Sequence, residues 1–142
     1  MKKIFLILIL IIAISEKESK AQTGVPDTLA YLQTIVANKA NYIGQPVSAL
    51  LNDLQIQIKY FHPSRGIVYD VSKETSTSFA FYFPQTADDM YLTYPCLEIY
   101  WQTPLNANQA FSLYNAKNGG GWDTTVYNFY KNATIKNITV EN

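Results

Sequence analysis

The sequence predicts an α+β domain: two N-terminal helices, a mainly antiparallel sheet of about five strands, and two further helices before the last strand. Three observations predict this class. Apolar residues recur at helical spacing from Leu29 to Leu54, and again from Ala107 to Ala133. Between these regions, and once more near the C-terminus, apolar and polar residues alternate as they do in half-buried strands. Helices that flank a meandering set of strands are typical of the α+β class.

The first 21 residues are interpreted as a cleaved signal peptide and are left out of the fold. Two lysines follow Met1, residues 4–14 form an unbroken apolar run, and Ser19 and Ala21 are the small residues that a signal peptidase requires. A membrane span needs about 20 apolar residues, so this run is too short to cross a bilayer. We therefore expect a single exported domain, Gln22–Asn142, in the periplasm or outside the cell. The short, lysine-led signal is typical of bacterial export.

Helical periodicity predicts the first two elements of this domain. Pro26 suits the first position of a helix, and the helix is expected to end near Asn38 or Ala40. Gly44-Gln45-Pro46 separates it from a second, short helix. The residues expected to face the core are Leu29, Leu32, Ile35 and Val36 in the first helix, and Val47, Leu50, Leu51 and Leu54 in the second.

Period-two alternation then predicts four strands in succession. They are expected at residues 55–60, Ile67–Val71, Thr77–Phe83 and Met90–Thr103. His62-Pro63, Pro84 and Pro104 are expected to stop the first, third and fourth of them. Pro95 has no amide hydrogen, so the fourth strand is predicted to lie at an edge of the sheet or to bulge there. Phe79, Phe81 and Phe83 are predicted to face the core.

The C-terminal part is predicted to add two helices and the last strand. Asn106 and Asp123 are expected to cap the two helices, and Asn118–Gly121 is expected to form a flexible turn between them. The last strand is expected at Thr134–Val140. From about Pro26 to Thr103, this order of elements resembles that of the beta-lactamase inhibitor proteins and the small outer-membrane assembly lipoproteins. No motif residue carries a function over from them.

Charge excludes two classes of partner. Residues 22–142 hold seven basic and nine acidic side chains, and no stretch forms a basic patch. Clustered lysine and arginine are needed to neutralise phosphates, so nucleic-acid binding and docking on anionic lipid are not expected. No stable membrane insertion is expected after signal cleavage. The sequence implies no cofactor and no metal.

The residues that can carry chemistry do not form a catalytic signature. His62 is the single histidine, and we interpret it as a turn residue beside Pro63. Asp88, Asp89 and Glu98 offer carboxyl groups, but along a straight strand Glu98 is too far from Asp89 to pair with it. Cys96 is the single cysteine and is expected to be buried. No catalytic residue is therefore assigned.

Aromatic side chains are the remaining candidates for a functional surface. Tyr82 and Tyr100 are expected on the sheet face opposite the helices, and Trp122 on the glycine-rich turn. Such residues suit recognition of a protein or a glycan. The sequence therefore favours a non-catalytic binding domain. The alternatives are a small envelope hydrolase that uses Asp89 or Glu98 with His62, and an inhibitor of a secreted enzyme.

Overall fold

A computed structural model describes residues 27–83 and 94–141 of the chain. The predicted signal peptide lies outside these residues, as do Pro26, Asp88 and Asp89.

Two helices open the described chain. Helix α1 spans Thr28–Ala37 and begins at Asp27, whose carboxylate accepts a hydrogen bond from the Ala30 amide at 3.0 Å. A single 3₁₀ turn follows at Lys39–Asn41, where the sequence predicted that the first helix would end. Helix α2 spans Val47–Asp53, and its buried residues Val47 and Leu50 belong to the predicted apolar stripe.

Four antiparallel strands form one sheet in the order β1-β2-β3-β4. Their bounds are Tyr60–Ser64, Lys73–Ala80, Cys96–Asn106 and Ile135–Glu141. Helix α3, Ala107–Ala116, begins at Asn106, and helix α4, Thr124–Tyr130, begins at Asp123. Both predicted capping residues accept backbone hydrogen bonds, Asn106 from Gln109 and Asp123 from Thr125 and Val126. The α+β class is thus confirmed.

The sheet has four strands in the described chain, whereas the sequence predicted about five. The predicted strand at Ile67–Val71 is a pair of turns instead. Asp70 explains this outcome, because its carboxylate accepts a hydrogen bond from the Ser72 amide at 3.1 Å and bends the backbone. The alternating apolar residues of this segment face solvent: Val68 and Tyr69 are 92% and 96% exposed.

Three prolines differ from the predictions. Pro63 lies inside β1 rather than ending a strand, which is tolerated because β1 is an edge strand. Strand β3 is central, between β2 and β4, whereas Pro95 led to the prediction of an edge or a bulge. Pro95 precedes the first residue of β3, so no ladder hydrogen bond is lost there. Pro104 likewise does not end β3, which continues to Asn106.

The core lies between one sheet face and the helices. Phe61, Phe79 and Ile99 from the sheet are fully buried and belong to the same cluster as Leu32 of α1 and Tyr130 of α4. Phe79 faces the core as predicted. The prediction for Phe83 was wrong, because this residue follows the end of β2 and is 57% exposed.

The turn after α3 closes the free edge of β1. The Phe61 amide donates to the Gly120 carbonyl at 2.8 Å, and the Trp122 amide donates to the Lys59 carbonyl at 3.1 Å. Gly120 has a φ of +115°, and a Cβ there would lie 2.5 Å from the Phe61 carbonyl oxygen. Only glycine fits both the conformation and this close approach. The glycines predicted as a flexible turn thus extend the sheet edge.

Candidate functional site

The sheet face opposite the core carries most of the chemistry-bearing side chains. We call it the polar face. Its register brings His62, Ser78, Glu98 and Thr139 into one row across the four strands. Alternate residues of each strand share this face. Its members are Tyr60, His62, Ser64, Ser76, Ser78, Ala80, Cys96, Glu98, Tyr100, Asn137, Thr139 and Glu141.

Glu98 lies at the centre of the polar face. It is 8% exposed, and both of its carboxylate oxygens accept hydrogen bonds. Ser76 Oγ donates to Oε1 at 2.7 Å, and Tyr100 OH donates to Oε2 at 2.6 Å. A buried carboxylate needs such donors to offset the loss of water. Ser76 on the neighbouring strand β2 and Tyr100, two residues further along β3, supply these donors.

Glu141, at the exposed end of β4, forms a pair with Glu98. Burial raises the pKa of Glu141, and a hydrogen bond to Glu98 and the negative charge of that residue raise it further. Hydrogen bonds from Cys96 and Ser78 act in the opposite direction. A neighbouring negative charge favours the protonated form of a carboxyl, so Glu141 takes up a proton more readily than a free glutamate does.

Cys96 is buried, as predicted, and lies beside this pair. Its Sγ is 3.9 Å from Glu141 Oε2, and the residue is 6% exposed. Burial, with the charges of Glu141 and Glu98, raises the pKa of the thiol to about 12. The thiol is thus protonated at neutral pH, and a protonated thiol is a poor nucleophile.

His62 reaches the polar face from β1 and packs against aromatic rings. Its ring centroid lies 5.3 Å from that of Tyr114 and 6.4 Å from that of Phe111, both in edge contacts from α3. Burial lowers the pKa of the imidazole, so the ring is neutral at pH 7. It forms no hydrogen bond or ion pair with a described residue. No described residue therefore occupies either ring nitrogen.

These side chains enclose a pocket of about 140 Å³. The pocket brings His62 and Glu98 together, the two residues that the hydrolase alternative required. The backbones of His62 and Glu98 are about 10 Å apart, because strand β2 lies between their strands. No hydrogen bond joins the two side chains. Its lining residues are Tyr60, His62, Ser64, Ser78, Ala80, Cys96, Glu98 and Glu141.

The two tyrosines proposed from the sequence lie at opposite ends of the polar face. Tyr100 is half-buried and donates to Glu98. Tyr82 packs against the small cluster of Tyr60, Ala80 and Cys96, and its ring centroid is 4.3 Å from that of Tyr94. Neither of the two lines the pocket, but Tyr100 fixes the carboxylate that does.

Trp122 lies on the opposite side of the sheet from these tyrosines. Its indole packs edge-on against Phe79, with centroids 5.4 Å apart, and stacks on Tyr130 at 6.5 Å. The residue is half-buried at the border of the core. Its surroundings are those of a core residue, and it does not share a surface with Tyr82 or Tyr100.

Sequence reasoning missed Glu141 and Ser78 as members of the site. Alternation along the last strand places Glu141 on the same face as Thr139, but the predicted strand stopped one residue earlier. Ser78 follows from the alternation with Phe79. The register that brings both residues to Glu98 depends on strand pairing, and no local pattern shows it.

A second buried carboxyl, Glu74, lies on the core side of the sheet. It is fully buried, and Oε1 accepts hydrogen bonds from Thr77 and, at 2.8 Å, from Tyr130. Oε2 has no hydrogen-bond partner. Trp101 Nε1 donates to Thr77 Oγ1 at 3.0 Å and completes the cluster. Burial raises the pKa of Glu74 to about 7, against the opposing effect of these hydrogen bonds.

The described residues contain no group of three histidine, cysteine or acidic side chains that is placed to hold a metal ion. None of the helices in that part of the chain is long and apolar enough to cross a membrane. No protein-family model, no curated protein and no solved structure matches the chain. The function is therefore argued from the site alone.

Proposed function

We propose that the protein is an exported, non-catalytic binding domain that contacts a protein or a cell-envelope component through its polar face. The observation that carries the proposal is the pocket of about 140 Å³ in that face. Concave sites with a few convergent polar groups are the usual places for ligands. The export part of the proposal rests on the lysine-led apolar run at the N-terminus.

The state of the polar groups favours binding over catalysis. The Cys96 thiol is protonated, and His62 has no acidic partner among the described residues to orient it. Nucleophilic catalysis needs a base within hydrogen-bond reach of the nucleophile. Glu98 is held by two donors, an arrangement that fixes a carboxylate as an acceptor for a ligand.

A protein-observed NMR titration tests this proposal. The purified protein, labelled with ¹⁵N, is titrated with small probes of four kinds: amines, carboxylic acids, sugars and capped dipeptides. We expect at least one kind to shift the amide signals of the polar face, such as those of His62, Ser78 and Glu98. Shifts confined to other surfaces, or no saturable shift with any probe, would contradict the proposal.

A blocked variant and a matched control sharpen the titration. Ser78→Phe places a bulky side chain in the pocket and should abolish the shifts. Gln33→Phe adds the same bulk at an exposed position of α1 and should leave them unchanged. Circular dichroism of both variants confirms that each is folded before binding is compared.

A second candidate, a small hydrolase, is favoured by one observation: His62 and Glu98 line the same pocket. A panel of chromogenic glycosides and esters tests this candidate. Turnover that is lost in Glu98→Gln would establish it and displace the binding proposal.

The third candidate, an inhibitor of a secreted enzyme, has a different surface in its favour. The turn between β1 and β2 exposes Val68 and Tyr69 almost completely. Its backbone is held by bonds such as that from the Ala107 amide to the Ser72 carbonyl, at 2.9 Å. Such an inhibitor would lose its effect on the enzyme in Tyr69→Ser and keep it in Ser78→Phe. If the polar face binds the partner instead, Ser78→Phe should abolish the effect and Tyr69→Ser should leave it unchanged.

A further inference from the structure

One side of the pocket in the polar face is acidic. Glu98 and Glu141 both line it, and the ion pair of the described residues lies elsewhere, between Lys117 and Asp123. No lysine or arginine is among the groups that influence the pKa of Glu141. A bound cation would supply a positive charge that no ion pair of the described residues provides at these carboxyls.

The opposite side of the pocket is aromatic. Tyr60 and His62 line it from β1, and α3 supports both rings: Tyr60 and Tyr114 share a hydrogen bond of 2.8 Å. The face of an aromatic ring attracts a cation. His62 is neutral at pH 7 because burial lowers its pKa, so it does not repel a positive charge.

The volume restricts the ligand to a small group. About 140 Å³ is close to the size of a cavity that accommodates one benzene molecule. A group of about five or six non-hydrogen atoms therefore fits, and a sugar ring with its hydroxyls does not. The apolar Ala80 side chain also lines the pocket and suits the alkyl part of such a group.

We propose that this pocket binds the primary ammonium group of an alkyl amine, with Glu98 and Glu141 as acceptors and the Tyr60 ring as the wall. This inference rests on the proposed function and names the chemistry of its ligand. An ammonium has three donors, and each Glu98 oxygen keeps a lone pair after its bond to Ser76 or Tyr100. A lysine side chain of a protein partner and a free alkyl amine both carry this group.

Titration with n-butylammonium at about pH 7, followed by NMR, tests the inference. We expect saturable shifts at Tyr60, Glu98 and Glu141 in the millimolar range. The neutral analogue n-butanol has the same size without the charge and should bind at least about tenfold more weakly, since hydrogen bonds to charged groups are the stronger ones. Nα-acetyl-lysine methylamide is the second ligand: tighter binding than n-butylammonium identifies a lysine in a polypeptide as the source, and equal binding identifies a free amine.

Two charge-removing variants locate the effect. Glu141→Gln should weaken binding of n-butylammonium by about tenfold or more, because one charged acceptor is lost. Glu141 is exposed at the end of β4, so this change leaves the buried core intact. The control Asp53→Asn removes one negative charge at an exposed position of α2 and should change the affinity less than about twofold.

Three results would overturn the inference. They are no saturable binding of either amine, equal binding of n-butanol and n-butylammonium, and an affinity unchanged in Glu141→Gln. Failure here is distinguishable from failure of the proposed function. If acids, sugars or dipeptides shift the polar-face signals and amines do not, ammonium binding is contradicted and binding by the polar face is supported. If no probe shifts those signals, both proposals are contradicted.

Discussion

Glu74 and Glu98 are both buried, but they lie on opposite faces of the same sheet and differ in their hydrogen-bond partners and surroundings. Glu74 is enclosed by the core, with one oxygen unpartnered, and its pKa is raised to about 7. Glu98 is held by Ser76 and Tyr100, lies next to a second carboxyl, and lines a pocket. The core face stabilises the fold, whereas the polar face is the one that we propose binds a ligand.

Adjacent residues of β2 give the largest expected difference between the two faces. Phe79→Ala removes a fully buried ring and should lower the free energy of unfolding by about 3–5 kcal/mol. Ser78→Ala, one residue away on the polar face, should cost about 1 kcal/mol or less. Urea denaturation of both variants measures the difference. Equal losses would show that the polar face also serves as a core.

Glu74 should make the stability of the fold depend on pH. Its pKa is about 7 in the folded state and about 4.5 in the unfolded chain. The folded state thus binds the proton of Glu74 more tightly than the unfolded chain does. Protonation therefore contributes to the free energy of unfolding fully below about pH 4.5, and this contribution is lost as pH rises through about 7. The loss amounts to about 3 kcal/mol.

Glu74→Gln isolates this effect, because the amide does not titrate. The difference in free energy of unfolding between the variant and the original protein, measured by urea denaturation across this range of pH, should change by the stated amount. A difference that stays constant across this range of pH would show that burial does not raise the pKa of Glu74.

Much of the core face, unlike the polar face, was predictable from local sequence. The caps at Asn106 and Asp123, the stripe of α2 and the inward side of Phe79 follow from residue type and spacing within a few positions. The wrongly predicted strand also has a local cause. At Ile67–Val71 the alternation is present, but Asp70 and the flanking Gly66 favour a turn, and none of the four described strands pairs with the segment.

The pocket in the polar face could not be predicted from the spacing of residues along the sequence. Glu98 and His62 were both noted in the sequence, yet only the pairing of β1, β2 and β3 brings them to one pocket. Trp122 shows the converse. Its position beside three glycines favoured an exposed loop, but Gly120 lets the chain approach β1 closely and directs the indole toward Phe79.

Tyr100→Phe should have a smaller effect that separates support from binding. The change removes the hydroxyl that donates to Glu98 and should cost about 1–2 kcal/mol of unfolding free energy. It should also weaken n-butylammonium binding severalfold, because Glu98 loses a partner that fixes its position. Thermal denaturation and the NMR titration measure the two effects. Reduced stability with unchanged affinity would make Tyr100 a structural residue only.

The smallest effect concerns Cys96. Its thiol is buried and its pKa is raised to about 12, so labelling by a thiol reagent at neutral pH should be slow in the folded protein and fast in urea. Rapid labelling of the folded protein would place Cys96 at an open site.

The difference between the two faces is tested most directly by the side-chain carboxyl signals of Glu74, Glu98 and Glu141. These are followed by ¹³C NMR as a function of pH, with and without n-butylammonium. We predict that the pKa of Glu141 falls when the amine is bound, because a nearby cation favours the charged form of a carboxyl, while the pKa of Glu74 stays near 7 in both titrations. An unchanged pKa of Glu141 in the presence of the amine, or a shift at Glu74 instead, would contradict the assignment of the polar face as the binding face.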